Sequence, residues 1–532
     1  MRKMCKMLPC YLLLACAPLW VLPALAANRP RVVNEIKHDV SLPLREMAQA
    51  VSPAERPRFE KPEFRAPKGF FHQAPGADSV VQEQYLPELS ITKLLSFDAI
   101  TGSQGGAIPP DTNGSVGSTQ FVEITNVVYD VFDKASGKLL LGPVLINAIW
   151  KGFGGLCEQT NGGDPIVLWD KLAQRWFVSQ LAYNNTNAAL CIAVSTTDDA
   201  TGSYNRYAYS TGTNFPDYPK YSVWPDAYYG THNLYSPNSF LGAEPCAFDR
   251  TAMLAGKKAV AICIKPNPNN YGFMPSDLDG TTLPPSGAPN HYIDLANLTN
   301  QLAEFDFHVD FAHPKKSTFA GPHTISVPTY TLLCNDGGNF ACLPQPSPGE
   351  KVDSLSGLVM FRFAYRNFGD HESLLIPHSV APGKGSSAVA ATRWYELRAT
   401  PPGSKFTLYQ AGTLQNKTDN LWMPSMAMDK QGNIAMGLSS DNNSTLDSSI
   451  WLTGRLPSDP LGKMEAPIVI VKGSAVQVNG GNRWGDYSSM SVDPSDDCTF
   501  WYAQEYYNKK NGGAKSNDWT THLVSFKFPG CE

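Results

Sequence analysis

The chain has 532 residues and a formal net charge of only −5, with no run of Lys and Arg that would track phosphates. That balance excludes nucleic acid as its partner. Charged residues are 17% of the chain, while Gly (43), Pro (42) and aromatics (11%) are plentiful, the composition of strands joined by many turns rather than of a helical protein.

Residues 1–26 read as an export leader. Arg2, Lys3 and Lys6 are its basic part, residues 8–25 its apolar part, and Ala24-Leu25-Ala26 a small-residue cleavage site. A second reading stays open, because Leu13-Leu14-Ala15-Cys16 has the form of a bacterial lipobox and would leave the chain lipid-anchored through Cys16. Either way the mature chain is expected to be secreted or periplasmic, without a transmembrane helix. Outside the leader the cysteines are even in number, as suits disulfides in an exported chain. Pairing between near neighbours predicts Cys157–Cys191, Cys246–Cys263, Cys334–Cys342 and Cys498–Cys531. No Cys-x-x-Cys is present and His is sparse, so a structural zinc site is not expected.

Residues 27–90 are Pro-rich and without periodicity, and read as an N-terminal arm or a propeptide. Residues 94–100 read as a strand able to pair with the last unit of the fold. From residue 91 onward the sequence is strands and turns. The sharpest unit is Trp484-Gly-Asp486-Tyr487-Ser-Ser-Met-Ser-Val-Asp493 followed by Thr499-Phe-Trp501, a β-hairpin with an Asp-rich turn. Gly163-Asp164-Pro165-Ile-Val-Leu-Trp-Asp170 and Met423-Pro424-Ser-Met-Ala-Met-Asp429 repeat its order, and weaker copies begin at Pro110-Asp111, Pro225-Asp226 and Gly369-Asp370. Residues 265–291 and 334–353 read as long loops. Intervals of roughly 50–60 residues, with one wider gap that holds a degenerate unit, predict an all-β fold: a β-propeller of about seven four-stranded blades over residues 91–532. A large β-sandwich is the alternative.

Taken together, Pro110-Asp-Thr-Asn-Gly-Ser-Val-Gly117, Gly163 to Asp170, Tyr218-Pro-Lys-Tyr-Ser-Val-Trp-Pro-Asp-Ala-Tyr-Tyr229, Tyr365-Arg-Asn-Phe-Gly-Asp-His-Glu-Ser373 and Trp484 to Asp493 resemble a group of secreted bacterial β-propeller proteins, mostly of unassigned activity. The resemblance runs from about residue 85 to the C-terminus and implies secretion and a propeller-like fold, not a reaction. Ser491-Val-Asp493 and Thr499-Phe-Trp501 are more distantly similar to the Asp-box of sialidase-type propellers, with a longer turn and no Gly.

In a propeller the starts of the innermost strands converge on the axis, which would gather Asp111, Asp164, Asp226, Asp370 or Glu372, and Asp486. Carboxylates crowded together shift one another's pKa, as glycoside cleavage requires. His371 and Glu372 are the candidate base and acid, with Asp486, Asp164 and Asp226 as further carboxylates and Tyr487 as a phenolic nucleophile. Arg366, Arg393 and Arg483, with His378, are the candidate clamp for an anionic sugar, and Trp224 and Trp484 its stacking platform. Equally, Asp before a strand is a common turn former, and these charges are as readily structural ion pairs. Asp111-Thr-Asn113-Gly114 has the opening of a calcium loop without its closing Glu, so a structural calcium is an option and no cofactor is firmly implied. The leading expectation is a hydrolase or lyase on an extracellular acidic glycan. The alternative is a non-catalytic propeller of the envelope that binds a glycan or a protein, and a purely structural role gains if Cys16 is lipidated. Perturbed carboxylates in a pocket favour the enzyme, and a filled axis favours the binder. The oligomeric state is unknown.

Overall fold

The structure, a computed structural model, describes residues 30–49, 59–60, 67, 69–336, 341–382, 389–478, 480–511, 515–516 and 518–532. The expected leader and Cys16 lie outside the described residues. Among those residues no helix is long and apolar enough to cross a membrane.

Seven strands, labelled here β1 (Asn113–Val116), β2 (Gly163–Asp170), β3 (Phe215–Val223), β4 (Met274–Leu278), β5 (Phe363–Asn367), β6 (Asn420–Met428) and β7 (Ser489–Val492), each begin an antiparallel sheet in which further strands follow mostly in chain order. Each packs beside the next, and β7 returns to β1, so the arrangement is cyclic and propeller-like. Thr92–Thr101 is the outermost strand of the last sheet, paired antiparallel with Trp519–Lys527, so the strand that leads into the first sheet closes onto the last one. β2 is buried over its whole length, which is why it reads as a continuous apolar run rather than an alternating one.

Neighbouring first strands are tied by side chains. Asn113 Oδ1 accepts the Val167 amide, Ser115 Oγ the Trp169 amide and Asp277 Oδ1 the Val223 amide, each across 54 residues of sequence. Ser425 Oγ accepts the Met490 amide in the same way. β4 and β5 instead pair directly and in parallel, Ser276 opposite Phe363, which merges the fourth and fifth sheets into one of eight strands.

The starts of β2, β3 and β6 share one backbone event. Asp164, Tyr218 and Met423 hold positive φ of 47°, 54° and 52°, each precedes a proline, and each sits at a break in register. Proline has no N–H to lose at such a bulge. Two expectations change here. Residues 265–291, read as a loop, contain β4, whose Met274-Pro275-Ser276 matches Met423-Pro424-Ser425. Pro225-Asp226 and Gly369-Asp370, read as unit starts, are instead the turns that follow β3 and β5. Asp serves both kinds of turn, so the residue alone does not distinguish them.

The N-terminal arm lies on the outside of the sheets. Pro30–Asn34 is a fifth strand on the third sheet and Lys37–Val40 a fifth strand on the second. Arg31 reaches Glu244 at 2.7 Å, and Asp39 accepts Arg206 at 2.7 Å. Farther on, Leu86–Glu88 pairs in parallel with Glu465–Ala466 beside the sixth sheet. All four expected disulfides are formed. They suit an oxidising compartment.

Between these contacts, Asp78 of the arm meets Arg393 of the fifth sheet at 2.7 Å, with side chains 4% and 0% exposed. Removing one member strands a buried charge. Asp78→Ala is therefore expected to lower stability by about 3–5 kcal/mol in chemical denaturation, and a double Asp78→Leu/Arg393→Met variant to recover most of it. Equal losses in the single and double variants would show that the pair is not what holds the arm.

Candidate functional site

At one end of the ring, where β1, β2, β3 and β7 begin, Asp111, Asp164 and Asp486 come together. Asp111 accepts Asn126 Nδ2 at 2.6 Å and the Asp486 amide at 3.0 Å, while Asp164 accepts the Tyr218 amide at 3.1 Å. Arg483 bridges Asp353 (3.0 Å) and Asp486 (2.7 Å). The Lys220 ammonium lies 3.3 Å from the centre of the Tyr218 ring and 4.0 Å from that of Tyr487. The Tyr487 hydroxyl donates to the Pro165 carbonyl. Asp111, Asp164, Lys220, Tyr218, Tyr487 and Arg483 are all buried, so this end of the axis is filled. Burial, reinforced by Asp111 and Asp486, pushes the Tyr487 phenol well above its usual range. Burial works against the Arg483 charge, but Asp486, Asp353 and Asp111 outweigh it and push the guanidinium above its usual range.

The other expected residues lie elsewhere. Asp226, past the far end of β3, accepts the Tyr229 hydroxyl, and burial raises its carboxyl. Asp370 is exposed and meets His371 at 2.7 Å, whose ring stacks on Phe368. His378 is buried against Tyr395, and burial, with Arg393 nearby, pushes its imidazole well below the usual range. Arg366 holds Asp497 through both its terminal nitrogens, at 2.7 and 2.6 Å. The three expected clamp arginines thus sit in three separate ion pairs, with Asp497, Asp78 and the Asp353/Asp486 pair. Trp224 packs on Tyr365 and Trp484 on Trp422, both in the core. Asn113 Oδ1 is committed to the seam with β2, so the Asp111/Asn113 pair offers a cation one oxygen fewer than its sequence suggested.

Glu372 opens the second strand of the fifth sheet at the opposite end of the ring, where it accepts the Tyr365 hydroxyl and the Gly403 amide. There it lines a cavity of about 790 Å³ together with His291, Glu304, Asp306, His308 and His323 of the fourth sheet. The strand Gln301–His308 explains the opposing wall. Its alternation puts Glu304, Asp306 and His308 on one face and Phe305 and Phe307 on the other, where they join the aromatic core with Tyr292 and Phe319. Across the ladder His291 stands opposite Asp306, and Glu304 opposite His323. His291 Nδ1 lies 2.9 Å from both Glu304 Oε1 and Asp306 Oδ1, and His323 Nε2 lies 3.3 Å from Asp306 Oδ2. Burial would lower the His291 imidazole, but the hydrogen bonds to Asp306 and Glu304 win and bring it up to about 9. Burial raises Glu304, while His291 overcomes burial at Asp306 and lowers it. This grouping can move a proton or hold a cation. Of these lining residues sequence reasoning named Glu372 and not His291, Glu304, Asp306 or His323. The period-two run Glu304-Phe-Asp306-Phe-His308 was the available signal.

Neither a protein family nor a curated protein matches the chain. Among solved structures it is similar to the WD40 domain of SCAP from fission yeast (8% identity, TM-score 0.33, 76% of this chain and 81% of that one). It is also similar to an endo-arabinase from Bacteroides thetaiotaomicron VPI-5482 (14%, 0.27, 56% and 95%) and to the polysaccharide lyase Uly1 (7%, 0.29, 94% and 99%). With TM-scores this low, the likenesses carry no argument about activity.

The buried carboxyls set a pH dependence of stability. Burial raises Asp130 and Asp441 from 3.8 to about 8, and raises Glu123 and Glu505 as well. Such groups stay protonated in the fold but ionise on unfolding, so their stabilisation is complete below the unfolded carboxyl range and is lost as pH rises to about 8. Asp279, held down to about 2 by Arg362 and Lys171 against its burial, contributes evenly across that window. The thermal midpoint is expected to be highest at mildly acidic pH and to fall toward about pH 8. Asp130→Asn and Asp441→Asn should each flatten the fall; a midpoint that climbs over the same window would contradict it.

Proposed function

We propose that the chain is a secreted seven-bladed propeller that acts as a hydrolase or lyase on an extracellular acidic glycan, with its chemistry in the cavity between the fourth and fifth sheets. The observation that carries this is that Glu304, Asp306 and His291 of the fourth sheet and Glu372 of the fifth line one cavity of about 790 Å³. Carboxylates on opposite sides of a bound sugar are what acid–base cleavage of a glycosidic bond requires. Lys405, His308 and His323 on the lining give an anionic sugar its partners. The filled axis and the committed arginines support moving the site away from the funnel centre. They also support a second reading, a non-catalytic propeller of the envelope that binds a glycan or a protein.

The test is a panel of acidic and neutral polysaccharides, read by reducing-end release and by absorbance of unsaturated products. Glu372→Gln and Glu304→Gln are each expected to lower kcat by about 10²–10⁴-fold while the protein stays folded. Loss in Asp486→Asn with Glu372→Gln fully active would return the chemistry to the axis. Silence of the unmodified chain across the panel, with glycan binding retained, would select the binding module.

A further inference from the structure

We propose that His291, Glu304 and Asp306 bind a divalent transition cation of the Zn²⁺ class on the wall of this cavity. The inference rests on the cavity being the functional site, and adds a metal that the sparse histidines of the sequence argued against.

The geometry comes from the sheet. Glu304 and Asp306 are two residues apart on one strand and therefore share a face, and His291 stands directly opposite Asp306 on the neighbouring strand. Their ligand atoms lie within 4.8 Å of one another without any change of backbone. Ligands carried on paired strands are held more firmly than ligands carried on loops. His323 braces the second oxygen of Asp306 at 3.3 Å, the kind of outer contact that orients a ligating carboxylate.

Charge argues the same way. Two carboxylates face a single imidazole, and Glu372 adds a third carboxylate to the cavity lining. A dication ligated by a neutral imidazole and two carboxylates is locally neutral. The donor set selects the ion, because Ca²⁺ takes six to eight oxygens and Mg²⁺ keeps most of its waters, whereas one nitrogen with two carboxylates suits Zn²⁺ or its transition-series neighbours. Three protein ligands with the remaining side toward open space is the form of a catalytic rather than a structural site. Among the described residues the other grouping of this kind is His232, Glu244 and Cys246. There Cys246 is bonded to Cys263 and Glu244 is held by Arg31, so it lacks a free donor set.

The measurement is isothermal titration of the chelator-treated full chain with ZnCl₂, alongside metal analysis after dialysis and the visible absorption of the Co²⁺ form. One equivalent of Zn²⁺ is expected, with Ca²⁺ binding far more weakly. His291→Ala and Asp306→Asn should each weaken Zn²⁺ at least about tenfold and remove the Co²⁺ spectrum, and Glu304→Gln, the most conservative change, covers the case in which either variant fails to fold. Absence of stoichiometric Zn²⁺ binding, or binding that persists in the folded variants, would overturn the site. The two proposals fail separately: a metal-free chain that still cleaves glycans removes the metal alone, and a Zn²⁺-loaded chain inert on every glycan removes the activity alone.

Discussion

The constraint on which the rest of the structure depends is the satisfaction of backbone amides where the sheets meet. A first strand has a sheet on one side only, and its other edge faces the neighbouring sheet with N–H groups that must find partners in a buried place. The chain meets this with short polar side chains. Asn113, Ser115, Asp277 and Ser425 each accept an amide from a neighbouring first strand, and three of these bonds span the same 54 residues. The repeat length is therefore a physical distance around the ring as well as a pattern in the sequence.

This has a consequence for reading chemistry from such a chain. Acids and amides at the starts of the strands attract attention because they recur, yet recurrence is what a frame demands. Asp111 and Asp164 accept Asn126 Nδ2 and the Tyr218 amide, and Asp353 and Asp486 hold a buried guanidinium. The repeat of side-chain seams is not uniform. The fourth and fifth sheets break it, because β4 and β5 pair through their backbones and so need no side-chain seam along those residues. Farther out on the fourth sheet, on its second and third strands, His291, Glu304 and Asp306 line a cavity.

The legibility of the sequence follows the same division. The unit starts at β2 and β6 could be read because Asp164-Pro165 and Met423-Pro424 are local signals, and the cysteine pairs could be read because near neighbours in sequence lie on adjoining segments. β4 was hidden although Met274-Pro275-Ser276 carries the same signal, because Pro, Asn and Gly around it resemble a loop. Asp226 and Asp370 were given the wrong end of a strand, since a turn before a strand and a turn after it use the same residues. With the fourth sheet read only as a degenerate unit in a wide gap, the cross-strand pairing of His291 with Asp306 could not be anticipated. No spacing along the chain contains a ladder register.

Charge separates the two ends of the ring most clearly. At the filled end, cations answer the carboxylates: Arg483 lies between Asp353 and Asp486, and Lys220 lies over two tyrosine rings beside Asp111 and Asp164. Removing one member of such a buried pair would leave the other charge stranded. At the cavity the carboxylates meet imidazoles instead: Glu304 and Asp306 meet His291, Asp306 also meets His323, and Glu372, His308 and Lys405 complete the charged lining. A carboxylate in a partly shielded space is stabilised by whatever positive charge meets it, a proton or a dication. At the axis Asp353 and Asp486 meet a fixed guanidinium, whereas Glu304 and Asp306 meet imidazoles, whose charge a proton controls, on the wall of a cavity.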